Sequence, residues 1–329
     1  MTGATGFIGG ALARRLAADG HEVIALVRNP DAAGALAGAG VRLHPGDITD
    51  KSSMRGGMRE ADGVFHLAGW YKIGVRDLRP GLRINVDGTR NVLELAGELA
   101  VPRIVYTSTL GVFSDTGGRV VDETYRHDGP WLSEYDRTKW LAHYEVAEPM
   151  MRAGLPAVIV QPGVVYGPGD TSAMHSTIVQ YLRRRLPVLP RRTGYCWGHV
   201  DDTVDGHVMA MVKGRPGESY IVAGPRHTLI EALAIAEEIT GIPAPRWHVS
   251  PEVMRALGGL LQAVGRADAA EILRVGAGVT YWGSSARAER ELRFHARSLR
   301  DGFRDTLAHE MRLLGIAGQE TPAGGRTGR

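Results

Sequence analysis

The sequence predicts an α/β protein: a parallel sheet covered by helices on both faces, with a smaller, mostly helical lobe following it. Three observations lead there. The first 163 residues alternate short β-branched apolar runs with amphipathic segments, the pattern of a parallel sheet crossed over by helices. A glycine-rich turn stands directly before the first of those amphipathic segments. Beyond residue 163 the rhythm changes to helical stretches punctuated by proline. The expected division is a nucleotide-binding domain over 1–163, a substrate lobe over 164–314 from which some segments return to the sheet, and a disordered tail over 315–329 rich in glycine, proline and threonine.

Each element follows from local pattern. Residues 7–18 form a helix after the glycine turn, and the apolar run 21–27 a buried strand. A weak helix over 31–39 and a short strand over 41–44 come next. A helix at 52–59 leads to a strand at 63–67. Residues 82–99 make a long amphipathic helix, 103–107 a strand, and 133–151 a second long helix that Pro149 is expected to kink. A strand over 157–160 closes this half. In the second half the spacing predicts helices over 172–185, 203–213, 228–240, 251–264 and 287–314, with one strand at 219–222.

Composition bounds the function. The 329 residues give an ordinary globular balance, 43% hydrophobic and 23% charged. A net charge of +3, from 39 basic against 36 acidic residues, gives no argument for a nucleic-acid partner. No apolar run is long enough to span a membrane, no signal peptide opens the chain, and a cytoplasmic protein without membrane or nucleic-acid partners is expected. The single cysteine, Cys196, leaves no internal disulfide and no multi-cysteine zinc site. Only four basic residues are lysines, so a lysine in a mechanistic position is informative.

Two motifs carry chemistry. Gly3, Gly6 and Gly9, with Thr5, Phe7 and Ile8 between them, suit a phosphate-binding turn, since backbone can approach a pyrophosphate there and the next helix offers free N–H groups. In a chain with 44 glycines such a triplet arises by chance about once. Tyr135 and Lys139 form the chain's one Tyr-x-x-x-Lys pair, at a spacing that puts both on one helix face. A nearby ammonium lowers a phenol's pKa from its usual ~10, which would make Tyr135 an acid/base group.

With these and further segments, the chain resembles the extended short-chain dehydrogenases/reductases of the NAD-dependent epimerase/dehydratase type, over 2–310. Gly46-Asp47-Ile48 resembles the adenine-contacting turn, and His66-Leu67-Ala68-Gly69 the fourth-strand end beside the cofactor. The segment from Asn85 to Thr89 resembles the helix with the active-site asparagine, and Thr107-Ser108-Thr109 the substrate-binding strand end. The stretch from Gln161 to Gly169, with Pro162, Gly163 and Val165, resembles the nicotinamide-side loop. His199-Val200-Asp201-Asp202 resembles a second-lobe marker, and two stretches over 284–306 resemble the family's C-terminal pattern.

The resemblance implies a Rossmann-type sheet and hydride transfer between a nicotinamide and a carbon bearing oxygen. Tyr135 would be the acid/base, Lys139 its partner and the holder of the nicotinamide ribose, and Thr109 the hydrogen-bond partner of the substrate oxygen. Ser108 is second choice for that role, and Asn85 would order the relay behind them. The cofactor is NADP or NAD. Arg28, after Val27 where NAD-binding chains usually carry a carboxylate, favours the 2′-phosphate of NADP. A homodimer through the two long helices is expected. The resemblance also puts an apolar strand before the glycine turn, with Met1 at its last position. That first strand is therefore expected to be missing, and the natural product to start upstream, since about four or five buried side chains at ~1.5–3 kcal/mol each rival a domain's whole stability.

A reductase or dehydrogenase of a small, partly apolar ketone or alcohol, similar to the dihydroflavonol-reductase branch, is the first reading. Tyr195, where nucleotide-sugar members often carry an arginine, stands against the alternative of a nucleotide-sugar epimerase. The intact Tyr-x-x-x-Lys pair stands against a non-catalytic NAD(P) sensor. Trp70, Tyr71, Val112, Phe113, Trp131, Tyr166, Tyr195 and Trp197 are candidates to line a substrate pocket. His199, Asp201, Asp202, Asp205 and His207 match no metal-ligand spacing, so no metal is expected. The arginines at 183–185 and 191–192 read as solvated helix ends.

Overall fold

The computed structural model of the protein describes residues 1–316; of the tail expected over 315–329, Gly315 ends the last helix and Ile316 packs on the core, and 317–329 lie outside the described residues. The first half follows the alternation in the sequence. Helix α1 (Phe7–Ala18) leads to β1 (Ile24–Val27) and β2 (Arg42–Pro45). Helix α2 (Lys51–Met58) precedes β3 (Val64–His66), helix α3 (Thr89–Glu98) precedes β4 (Ile104–Thr107), and helix α4 (Glu134–Trp140) precedes β5 (Ala157–Pro162). All pairings are parallel, in the orders β1-β2 and β3-β4-β5-β9, where β9 (Ser219–Val222) returns from the second half. Every residue of β5 is buried, as expected of a strand covered on both faces.

Between β1 and β3 only Thr2 continues the sheet, bridging Leu26 on one side and His66 on the other. The Leu26 N–H donates to the Met1 carbonyl (2.8 Å) and the Thr2 N–H to the Phe65 carbonyl (2.9 Å). Beyond Met1 the two strands are separated by a cavity of about 560 Å³ lined by Val23, Ile24, Met54, Met58, Val64 and Phe65 among others.

Helices cover both faces. On one, Leu12 and Leu16 of α1 pack with Val204 and Ala210 of α6 (Val200–Lys213) and Leu292 of α10 (Ala286–Leu292). On the other, Met54, Val92, Leu93, Ala142 and Val146 close over Ile104 and Ile159. The two long helices carry wide π-type turns, over Leu82–Gly88 before α3 and Leu141–Ala147 after α4. The second of these precedes Glu148–Arg152, where Pro149 sits in the first turn and its missing N–H is tolerated. The irregularity expected at Pro149 therefore falls in the turn before it.

The second lobe is mostly helical and also carries short strands. It contains α5 (Ala173–Leu182), α7 (Leu229–Thr240), α8 (Pro251–Ala263), α9 (Ala267–Gly276) and α11 (Leu299–Leu314). Strand β8 (Gly194–His199) takes β6 (Val164–Tyr166), β10 (Arg226–Thr228) and β12 (Thr280–Tyr281) as neighbours, while β7 (Val188–Pro190) pairs with β11 (Trp247–Val249). The single helix expected over 287–314 is two. Arg293 turns left-handed (φ 59°) to end α10, Phe294 is buried after it, and Ser298 caps α11.

Candidate active site

The glycine turn lies across the end of the Met1–Thr2 segment and reverses sharply into α1. Gly3 has φ +75°, and a Cβ there would fall 2.5 Å from the Ala68 nitrogen; a Cβ on Gly9 would fall 2.1 Å from the Gly3 carbonyl oxygen. No other residue fits either position without moving backbone. Gly6 caps α1 without a side-chain hydrogen bond, so the first N–H groups of the helix and its positive dipole end are presented to the cleft beside them.

That cleft encloses about 510 Å³ and is lined by Gly3, Thr5, Gly6, Phe7, Ile8 and Gly9, by Arg28, by Asp47 and Ile48, by Leu67, Ala68 and Gly69, and by Gly163 and Val165. These segments, predicted separately, therefore meet. Pro162 does not line it; as the last residue of β5 it is buried in the sheet. Tyr71 and Thr107, read as substrate-side residues, line this cleft instead, and the sequence reading missed Arg83 and the stretch Asp170-Thr171-Ser172. The Ser172 side chain caps α5, a signal available in the sequence. Arg28 closes the end of β1 and makes no ion pair among the described residues.

Ser133 caps α4 by accepting from the Asp136 N–H (3.1 Å), which sets the helix that carries Tyr135 and Lys139. The Thr109 hydroxyl is near enough to the Tyr135 phenol to offset in part the upward shift that burial imposes; the phenol is pushed up to about 12. Lys139 is buried, donates to the Thr107 carbonyl (2.9 Å) and the Tyr106 hydroxyl (3.1 Å), and is pushed down to about 7 by burial. This corrects the expectation of a lowered tyrosine. The ammonium is directed at Tyr106 and Thr107, and loss of water dominates both groups.

Ser108 is turned away, bonded to His143 Nδ1 at 2.8 Å in a buried pocket, which leaves Thr109 facing the site. Asn85 sits in the π-type turn before α3. It donates to the Trp70 carbonyl and the Thr138 hydroxyl (both 2.9 Å) and accepts from the Trp70 N–H. It fixes the 70s loop to the tyrosine helix and makes no direct hydrogen bond to Tyr135.

Asp136, next to Tyr135, is a feature the sequence did not single out. It is buried, receives the Tyr281 hydroxyl at 3.3 Å, and burial pushes it up to about 7. Tyr281 stacks on Tyr195 with ring centroids 6.0 Å apart and planes 6° from parallel. Among the aromatic candidates, Trp70, Val112, Phe113, Tyr166 and Trp197 are core, Trp131 is half-buried and Tyr71 exposed. The second-lobe acids are engaged locally: Asp202 holds Arg297, and Asp205 holds Arg15. No group of three potential metal ligands occurs among the described residues. His199 caps α6, and His207 bonds Thr107 and Thr203.

Residues 1–223 match the sequence profile described as the NAD dependent epimerase/dehydratase family. The chain belongs to that family. Its members are NAD-dependent oxidoreductase-type enzymes, and the chain is an enzyme of this group. It is 30% identical over 321 residues to "Sterol demethylase protein B" of Methylococcus capsulatus, covering 94% of this chain and 96% of that one. It is 29% identical over 274 residues to a farnesyl-dihydroquinoline-oxide ketoreductase of Stigmatella aurantiaca, covering 81% and 80%. The crystal structure of gox2253 superposes with a TM-score of 0.84 at 28% identity, over 96% of this chain and 98% of that one. A UDP-glucose 4-epimerase from Thermotoga maritima, at 21% identity and TM-score 0.76 over 95% and 98%, shares the fold.

The cradle fits a nicotinamide dinucleotide, as the family requires. Positions 3 and 9 exclude any Cβ and the α1 N-terminus faces the cleft, which is what close approach of a pyrophosphate needs.

Proposed function

We propose that the chain is an NADP-preferring reductase or dehydrogenase acting on the carbonyl or alcohol of a small, partly apolar molecule. One observation carries the reading: the Tyr135 phenol lies beside the Thr109 hydroxyl on the helix whose Lys139 bonds the carbonyl of Thr107, a residue that lines the dinucleotide cleft, while the stacked Tyr195 and Tyr281 flank Asp136. The bound dinucleotide supplies a hydride. Thr109 and Tyr135 hold the substrate oxygen between two hydroxyls, and Tyr135 gives that oxygen its proton as the carbon is reduced. A phenol kept protonated by burial suits this direction. Lys139 stands behind them, held by the Tyr106 hydroxyl and the Thr107 carbonyl, and would hold the nicotinamide ribose. Gly3, Thr5, Gly6, Phe7, Ile8 and Gly9 hold the pyrophosphate, Asp47 and Ile48 the adenine, and Leu67 to Gly69, Gly163 and Val165 the nicotinamide half. Arg28 takes the 2′-phosphate.

The aromatic wall, with Tyr195 where a cation would grip a diphosphate, favours an apolar substrate over a nucleotide sugar. The similarity to a sterol-processing protein and a ketoreductase points the same way. In this reading the enzyme is a cytoplasmic homodimer, with residues 1–163 holding cofactor and 164–314 substrate. Oxidation of NADPH and of NADH is measured across apolar ketones beside a panel of sugar nucleotides. Turnover of a ketone with NADPH is expected. Interconversion of a sugar nucleotide without net oxidation returns the epimerase, and no turnover with tight dinucleotide binding returns the sensor.

A further inference from the structure

Helix α8 packs through a narrow side. Pro251 and Gly258 are buried and Met254 and Leu261 partly so, with Gly258 facing Ala270 and Leu273 of α9. On a different side Val253, Leu257 and Leu260, with Val264 at the C-terminal cap, are 59%, 47%, 61% and 64% exposed. Their spacing of four, three and four residues puts all four within roughly 60° of the helix circumference. Ile272 of α9 is exposed as well, and Trp247, on the strand leading into α8, is 77% exposed. Scattered apolar residues on a surface need no explanation, but a continuous stripe does.

The charge around the stripe has one dominant sign. Exposed cations on the hairpin or paired to it are Arg76, Arg192, Arg246, Arg255, Arg266 and Arg274. The anions are the exposed Glu252, shared by Arg192 and Arg255, and the half-buried Asp268, shared by Arg76 and Arg266. Glu271 points inward and is buried. α8 itself carries Arg255, across the helix from the stripe, and the other arginines stand at its two ends and on α9; an apolar helix side with a tryptophan at its edge and an excess of arginine about it is the composition of a helix lying in the plane of a bilayer surface.

A second copy of the chain fits less well. Four side chains on one short helix cover at most roughly 100 Å² each, while a stable dimer face needs about 800 Å² per partner. A convex single helix also offers no groove for a peptide.

We propose that α8 docks this protein peripherally on an anionic lipid surface, with Val253, Leu257, Leu260 and Val264 entering the acyl boundary and the surrounding arginines meeting headgroup phosphates. This departs from the expectation of no membrane partner and stands independently of the substrate reading.

The test is co-sedimentation of the full chain with vesicles of phosphatidylcholine containing about one third phosphatidylglycerol, beside vesicles of phosphatidylcholine alone. The wild type is expected to bind the anionic vesicles, more weakly as salt rises. Leu257→Glu/Leu260→Glu is expected to bind at least about tenfold less while keeping its melting temperature and its activity on a water-soluble ketone. Arg255→Glu/Arg266→Glu, which leaves the stripe intact, should lose most of the preference for anionic vesicles. Absence of wild-type binding overturns the proposal, as does binding that the stripe variant leaves unchanged. A concentration-dependent dimer lost in the stripe variant also overturns it, and assigns the face to a second copy.

Discussion

At the nucleotide end of the cleft the protein presents backbone, drawn from short contiguous segments: the glycine turn, the α1 N-terminus, and the strand ends at 46–48 and 67–69. At the substrate end it presents side chains from distant parts of the chain. Asp136 meets Tyr281 across 145 residues, and Glu271 reaches the Glu134 N–H across 137. Backbone recognition tolerates no side chain at Gly3 and Gly9 and is insensitive to pH. The substrate end is set by buried titratable groups whose protonation depends on how well water is excluded.

This contrast can be tested by changing each end alone. The largest effect is expected at the substrate end. Tyr135→Phe should cost about 10³-fold or more in kcat/KM, because the proton carrier is lost, while leaving dinucleotide affinity, read by protein fluorescence, within a few-fold. Lys139→Arg is expected to fold normally yet lose about 100-fold in kcat/KM, since a planar guanidinium cannot replace a compact ammonium beside Tyr106 and Thr107. Arg28→Asp should weaken NADPH by roughly 10- to 150-fold and spare NADH, the loss of one charge-assisted pair. A wild type that already prefers NADH would remove the role given to Arg28.

The smallest effect concerns pH. Asp136 sits at about 7 when folded against 3.8 unexposed to the fold, so the folded state binds the extra proton between those values. Its contribution to stability is full below pH 3.8 and is lost as pH rises through 7. Wild type should therefore lose about 2 kcal/mol relative to Asp136→Asn between pH 5 and pH 7, by denaturant unfolding at each pH. A parallel pH dependence in the two proteins would show that Asp136 titrates in water.

The same contrast explains what was readable in the sequence. The glycine turn, Asp47, the 67–69 strand end and the Tyr135/Lys139 helix were legible because each is a local pattern tied to one backbone conformation. Thr109 was legible only through the resemblance, and its choice over Ser108 is decided by His143, which lies 35 residues from Ser108 and draws its hydroxyl away. Asp136 stands in no spacing that singles it out and its partner Tyr281 sits in a two-residue strand, so no periodicity joins them. The pKa directions at Tyr135 and Lys139 could not be read either, because proximity in sequence says nothing about how much water a folded site retains. The short strands β6 to β8 and β10 to β12 escaped because runs of two to six residues pairing with distant segments carry almost no local signal.

Glu271 on α9 accepts the Gly74 N–H (2.7 Å) with one carboxylate oxygen and the Glu134 N–H (2.8 Å) with the other. The hairpin of α8 and α9 is thereby latched at once to the 70s loop and to the residue before Tyr135. Swinging it outward breaks two bonds to a charged acceptor, about 1.5–3 kcal/mol each, so an opened hairpin is populated at roughly one molecule in a hundred to one in ten thousand. Any loosening of the hairpin is thereby felt at the start of the helix that carries Tyr135 and Lys139, so a change made on α9 reaches that helix without touching it.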